Sequence, residues 1–312
     1  MKGPLFYSKI LLFGEYGIIK DSKGLSIPYN FSNGALKVDE NPNEETRRSN
    51  ESLKRFADYL SGIQAEKPAL VQFDMEALQA DIEKGMYFDS SIPQGYGVGS
   101  SGALVAAIYD KYAVDKITVL ENLTREKLLK LKHIFGEMES FFHGKSSGLD
   151  PLNSYLSIPI LINSKDNIEP AGIPSQTQNG KGAVFLLDSG SVGETAPMVN
   201  IFMENMKQEP FRRIIKEQFV KHTDACVDDF LKGDVKSLFG NIKKLSHVVL
   251  DNFKPMIPAQ FHKLWKKGIE TNEYYLKLCG SGGGGYILGF TEDIDKARKA
   301  LKGYKLEVVY NF

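Results

Sequence analysis

The stretch Pro93-Gln94-Gly95-Tyr96-Gly97-Val98-Gly99-Ser100-Ser101-Gly102-Ala103 is the part of this sequence best suited to chemistry. Glycines at alternate positions let the backbone bend until successive amide groups face one concavity. An apolar helical pattern starts at Ala103, and its free N–H groups and positive dipole end would be aimed at the same place. Polyphosphate is the natural occupant. Ser100 and Ser101 add hydroxyls that can hydrogen-bond phosphate or give magnesium an oxygen ligand. A lone glycine repeat would read better as a tight turn with serine caps, but this one is longer. A dinucleotide loop belongs near the first strand with an acidic residue about 20 positions further on. A P-loop needs a lysine after its last glycine, where Ala103 stands.

A second stretch runs from Glu139 through His143-Gly144-Lys145-Ser146-Ser147-Gly148-Leu149-Asp150 to Pro151. Glu139 falls on the last turn of a predicted helix, where a negative charge opposes the helix dipole unless a cation sits nearby. Bound magnesium would resolve that conflict. Asp150 closes a Ser-Gly turn and can present a carboxylate to an incoming hydroxyl, as a base or as an orienting group. Taken singly, Glu139 reads better as a surface residue and Asp150 as the side chain of an Asx turn than in those roles.

The third stretch, Lys277 to Tyr286, carries five glycines in six positions, Gly280 and Gly282 to Gly285, between two apolar strands. A plain hairpin needs one or two, so close approach to a ligand accounts better for the run, with Gly282 and Gly283 at its centre. Near the N-terminus, Lys9 lies inside the apolar strand pattern Leu5 to Phe13. A lysine is rarely buried alone, so Lys9 faces a carboxylate or a phosphate, with Asp150 the candidate partner, or else it projects from an exposed edge strand.

The elements that must position these residues are legible from periodicity and punctuation. Short strands are expected over Leu5–Phe13 (with Ile18 and Ile19 beyond it), Ile27–Phe31, Ala35–Val38 and Lys84–Ser91. Asn41–Asn50 reads as a solvated loop followed by a helix over Asn50–Ser61. Helices are expected over Ala103–Ala113 and from a Thr124 cap to Phe142, and a strand over Asn153–Asn163. The Gly, Pro, Ser and Gln-rich span 167–182 marks a lobe boundary near residue 178, which divides the chain into 1–178 and 179–312. Beyond it the pattern is a strand over Ala183–Asp188, helices over 196–207, 209–232, 234–251 and 258–272, strands over Tyr275–Cys279 and Gly285–Phe290, a helix over Ile294–Leu301 and a strand over Lys305–Tyr310. The expected class is α+β with two lobes.

Composition bounds the partners. The 39 basic and 39 acidic side chains cancel, so the overall field draws the chain to neither nucleic acid nor an anionic membrane, and any anion must be captured locally. Cys226 and Cys279 match neither a metal-binding spacing nor a disulfide framework, and no apolar run is long enough for a membrane helix. The expectation is a cytoplasmic protein.

Together the four stretches resemble the GHMP kinases, in order and in spacing. The phosphate loop of that superfamily has the form Pro-x-Gly-x-Gly-x-Gly-Ser-Ser, matched by residues 93–101, and its late glycine-rich motif is matched by residues 279–285. The segment His143 to Asp150 is most similar to that of the mevalonate kinases, and Leu187 to Thr195 is similar to the opening of the family's C-terminal domain. The resemblance implies a GHMP fold with a β-rich N-terminal nucleotide lobe and a ferredoxin-like C-terminal lobe. It implies ATP and Mg2+ as cofactors, a small-molecule hydroxyl acceptor with mevalonate foremost, and a homodimer as a family-level expectation. It implies Asp150 and Lys9 as the catalytic pair, Ser101 and Glu139 as magnesium ligands, and Pro93, Gly95, Gly97, Gly99, Ser100, Ser101 and Gly102 around the nucleotide phosphates. Glu15, Ser147, Gly282 and Gly283 are placed on the substrate side. The alternatives are another acceptor, such as phosphomevalonate, a related hydroxy acid or a sugar, and a non-catalytic nucleotide-binding member. Where the family has Gly-Glu-His-Ala, this sequence has Gly14-Glu15-Tyr16-Gly17, and Ser8 stands where a glycine often precedes the lysine.

Overall fold

The computed structural model describes residues 4–118, 123–177 and 180–312. The chain divides into two compact units, and the division is not a single cut. The first unit holds the described residues up to Lys9 together with Pro28–Gln94 and Gly99–Ile158; the second holds Ile10–Ile27, Gly95–Val98 and Pro159–Phe312. The boundary expected near residue 178 lies outside the described residues.

Strands β1 (Phe6–Phe13) and β2 (Gly24–Val38) each pass from one unit to the other. In the first unit follow α1 (Glu44–Glu66), β3 (Gln72–Phe73), α2 (Met75–Glu83), β4 (Met86–Ser90), α3 (Ser100–Tyr112), β5 (Ala113–Val114), α4 (Arg125–His143) and α5 (Leu149–Leu156). Here β2 pairs antiparallel with β4, from Gly34 opposite Ser90 to Val38 opposite Met86. The core lies among the helices, where Tyr109 of α3 meets Phe135 of α4 and Tyr155 of α5 edge-on at 5.0 and 5.3 Å.

Several expectations change here for local reasons. Of the segment read as a loop over 41–50, the part from Glu44 on is the start of α1, because the Asn43 side chain caps it by accepting from the Thr46 N–H, and the polar residues after it form its solvent face. The strand read over Asn153–Asn163 is instead α5 followed by β6 (Ile160–Ser164). Gly148, in a left-handed conformation at φ 73°, starts that helix, and Leu152, Tyr155 and Leu156 form its buried face. Ile18 and Ile19 lie in a 3-10 turn, Gly17–Lys20, and the two short strands expected over residues 27–38 are the single strand β2. The Thr124 cap is as expected, its hydroxyl accepting from the Lys127 N–H at 3.3 Å.

The second unit contains β6 and β7 (Asn167–Pro170), then β8 (Ala183–Asp188), α6 (Thr195–Asn205) and α7 (Glu209–Ile214). A π turn at Ile215–Val220 carries α7 into α8 (Lys221–Lys232), and α9 (Val235–Asn252), α10 (His262–Thr271), β9 (Tyr275–Leu278), β10 (Tyr286–Thr291), α11 (Ile294–Ala300) and β11 (Leu306–Asn311) follow. The sheet order β11-β8-β10-β9 is antiparallel throughout, which is the split arrangement of a ferredoxin-like lobe. Ala183 to Leu187 are all buried, so both faces of central strand β8 are covered and its sequence is a continuous apolar run rather than an alternating one.

Candidate active site

In the first unit, four elements deliver side chains to one cluster. Lys9 on β1 is 4% exposed, and its ammonium lies 2.8 Å from Oδ1 of Asp150, in the first turn of α5. Glycine decides how near these parts come. An added Cβ at Gly102, one turn into α3, would lie 2.7 Å from the Asp150 carbonyl carbon, so α3 and α5 can meet there only over a bare backbone. Gly99 borders the pair as well; a Cβ there would lie 3.1 Å from Lys9 Cγ and 3.8 Å from Asp150 Oδ2.

Beside this pair stand Ser101 and Glu139. The Ser101 hydroxyl lies 2.9 Å from Glu139 Oε1 and 2.9 Å from His143 Nε2, while Ser146 Oγ donates to Glu139 Oε2 at 2.5 Å. Glu139 is 4% exposed, and burial pushes its carboxyl up to about 7, helped by the charge of Asp150. Hydrogen bonds from Ser146 and Ser101, and the charge of Lys9, offset only part of this. The cluster therefore holds two carboxylates against one lysine. A hard divalent cation would correct the imbalance, and hydroxyl and carboxylate oxygens are the donors magnesium takes. Among the described residues no three His, Cys, Asp or Glu side chains form a metal cage. One or two protein ligands completed by phosphate and water is the usual magnesium arrangement.

The second unit contains the middle of the glycine loop and the late glycine turn, packed against each other. Gly95 and Gly97 are left-handed at φ 74° and 78°, and a Cβ on Gly97 would lie 2.6 Å from the Cys279 carbonyl oxygen. Tyr286 N–H donates to the Tyr96 carbonyl at 3.3 Å, and Gly193 N–H donates to the Gly95 carbonyl at 2.9 Å. The turn is held from its other side by the Gly283 N–H, which donates to the Met256 carbonyl at 2.7 Å. Glu15 is buried with its Oε1 2.6 Å from the Lys277 ammonium. Tyr16, 6% exposed, donates its hydroxyl to the Ser281 carbonyl at 2.6 Å, and burial, seconded by the charge of Glu15, holds that phenol well above its ordinary range.

Thus Lys9, Gly99, Ser101, Gly102, Glu139 and Asp150 meet in one unit, with Ser100 opening α3 and Pro93 leading into the glycines. Glu15, Gly95, Gly97, Gly282 and Gly283 belong to the other. Ser147 is exposed, its hydroxyl accepting from the Leu149 N–H at 3.4 Å. Two participants were missed. His143 opens the segment that resembles the mevalonate kinases but was given no role of its own, and nothing in its spacing marks it as a partner of Ser101. Lys277 carried the same signal as Lys9, a lysine within an apolar strand, and the same burial argument would have found it.

Residues 65–157 match the family described as GHMP kinases N terminal domain. No curated protein sequence matches the chain. Among solved structures, the mevalonate kinase of L. major in complex with R-mevalonate superposes with a TM-score of 0.65 at 17% identity, covering 100% of this chain and 99% of that one. The phosphomevalonate kinase of Streptococcus pneumoniae, in complex with phosphomevalonate and AMPPNP, gives 0.62 at 13% identity over 98% and 99%. The galactokinase of Lactococcus lactis complexed with galactose gives 0.64 at 12% identity over 98% and 92%. The chain has the GHMP kinase fold, and the resemblance read from its motifs recurs in the family match and in these neighbours. No helix among the described residues is long and apolar enough to cross a membrane.

Proposed function

We propose that this chain is a GHMP-type kinase that transfers the γ-phosphoryl group of ATP to the hydroxyl of a small molecule, with the 5-hydroxyl of mevalonate as the first acceptor to test. The observation that carries the reading is the buried Lys9–Asp150 pair at 2.8 Å, bordered by the last glycine of the loop and by the Ser101–Glu139 pair. A structural ion pair needs neither a glycine loop beside it nor a second, under-compensated carboxylate.

Phosphoryl transfer asks a protein mainly for alignment and charge stabilisation. The backbone from Gly95 to Ser101 holds the β- and γ-phosphates at the start of α3, with Gly102 allowing Asp150 to approach. Asp150 orients the acceptor hydroxyl and takes its proton as the oxygen bonds to the γ-phosphorus. The bond from that phosphorus to the β-phosphate oxygen breaks, and ADP leaves. Lys9 stabilises the negative charge that develops on the attacking oxygen. Ser101 and Glu139 hold Mg2+, which when bound neutralises phosphate charge. The family resemblance assigns Ser147, Gly282 and Gly283 to the acceptor; Glu15, which it also assigns there, is closed off by its pairing with Lys277. Mevalonate ranks first because the segment His143 to Asp150 is most similar to that of the mevalonate kinases. Because Tyr16 stands where the family has histidine, other acceptors of the same kind belong in the screen beside mevalonate.

The test is an acceptor screen with purified protein, ATP and Mg2+, following ADP release with mevalonate, phosphomevalonate, related hydroxy acids and galactose. Release that depends on one of these acceptors supports the reading and names the substrate. ATP binding without transfer to any of them would instead favour a non-catalytic nucleotide-binding member.

A further inference from the structure

The segment that follows β1 grips the end of β9 and the turn after it through two successive residues. The Lys277 ammonium sits between Glu15 Oε1 at 2.6 Å and the Leu278 carbonyl at 2.9 Å, with the two side chains 3% and 5% exposed. One residue on, the Tyr16 hydroxyl donates to the Ser281 carbonyl at 2.6 Å. The Tyr16 ring packs on Phe202 and Phe253, with centroids 4.7 and 5.7 Å away. Its backbone lies at φ 59° and ψ −38°, a positive-φ conformation that a bulky residue seldom adopts. Such geometry persists where surrounding contacts over-determine it.

What these residues hold is a turn with little stiffness of its own. Gly280 and Gly282 to Gly285 all have positive φ, and a glycine chain gives up more freedom on ordering than any other. This turn is also the surface on which the middle of the phosphate loop rests. A Cβ on Gly285 would lie 2.5 Å from Tyr96 Cα, and one on Gly97 would lie 2.6 Å from the Cys279 carbonyl oxygen. A shift of the turn is therefore passed directly to Gly95–Val98. Glu15, with 5% of its side chain exposed, has almost no surface to offer an acceptor.

We infer that Glu15, Tyr16 and Lys277 are positioning residues that set the 280–285 turn and, through it, the Gly95–Val98 part of the phosphate loop. Their influence falls on nucleotide affinity, not on contact with the acceptor. The inference rests on the kinase reading and refines it, since it places Glu15 behind the ligand-facing turn.

Tyr16→Phe is the direct test, because it keeps the ring packing and removes only the hydroxyl. Steady-state kinetics would be run with ATP and acceptor varied in turn, calorimetry would measure binding of a non-hydrolysable ATP analogue, and hydrogen exchange would follow the Gly283 and Gly285 amides. The expected result is a roughly three- to tenfold rise in nucleotide KM and Kd, the size of one lost neutral hydrogen bond. The kcat and the acceptor KM should stay within about twofold, and both glycine amides should exchange faster. A second variant, Glu15→Gln with Lys277→Met, removes the charged pair without leaving either charge buried alone, and should move the nucleotide constants in the same direction. A raised acceptor KM with unchanged nucleotide Kd would overturn the inference by placing Tyr16 against the acceptor. Unchanged constants in both variants would overturn it too. Failure of the unaltered chain to bind nucleotide is a separate result, which removes the kinase reading, and this inference with it, before any variant is compared.

Discussion

Lys9 and Lys277 are both lysines set within apolar strands, both almost fully buried and both ion-paired, yet their surroundings differ in one respect. Lys277 and Glu15 neutralise each other at 2.6 Å, with 3% and 5% of their side chains exposed, and the ammonium has a backbone carbonyl as a further acceptor. Lys9 faces Asp150, which is 38% exposed, and the second carboxylate of Glu139 close by is itself pushed up by burial and by Asp150. One pair is closed and balanced; the other is open to water and carries more negative charge than its lysine offsets. Buried charges that balance serve to hold a structure in one arrangement, whereas an excess of one sign beside a glycine loop is an arrangement left for ligands to complete.

The largest expected effect breaks the open pair. Asp150→Asn keeps the shape and removes the proposed base, so kcat should fall about 10²- to 10⁴-fold while nucleotide binding changes little; near-normal turnover would remove Asp150 from the chemistry. Next comes the closed pair. Lys277→Met leaves Glu15 charged and buried, and should cost about 3–5 kcal/mol in a denaturant titration. Lys9→Met should cost less, because Asp150 keeps contact with water, and equal losses at the two sites would erase the distinction drawn between them. Glu139→Gln sharpens the charge argument: the Mg2+ concentration for half-maximal rate should rise at least about tenfold, and the metal-free protein should be no less stable, since a repelled carboxylate has been removed. An unchanged magnesium titration takes Glu139 out of the metal site.

The smallest effect comes from an ion pair outside both regions. Asp81 accepts from Lys111 at 2.7 Å, and that hydrogen bond, more than the one from Tyr112, holds its carboxyl below the usual range against the cost of burial. A carboxyl lowered on folding adds stability above its unfolded pKa of about 3.9, and the gain is lost as pH falls from there through the folded value. Asp81→Asn should therefore cost about 0.2–1 kcal/mol at pH 6 and nothing once the pH lies below both values. A cost that persists there would show that packing, not charge, is what Asp81 contributes.

Much of the fold was readable because most elements carry strong period or punctuation. The apolar run Ala183–Asp188, the Thr124 cap and the 209–232 helix all appear where they were read, the last with a π turn inside it that no residue type announces. The failures were at polar helix starts and short apolar helices. Glu44 to Asn50 is charged like a loop, and only the Asn43 cap reveals the helix; residues 153–156 suit strand or helix equally until Gly148 sets the direction. In the site, Lys9 and Asp150 were paired in advance because burial of a lone lysine is costly, and Lys277 offered the same clue.

Residue types and spacing by themselves determined the bend-prone, glycine-rich character of residues 93–102, the presence of a lysine that must find a partner, and the class of fold, because each follows from local backbone freedom, periodicity or the cost of burying charge. Only the tertiary structure decided which lysine is balanced and which is not. It alone showed that Glu15 and Tyr16 close on a strand end and its turn 262 to 265 residues away, and that Glu139 is buried deeply enough for its carboxyl to rise. These depend on how much water each charge keeps and which charges become its neighbours, quantities that no stretch of chain contains until the rest has packed around it.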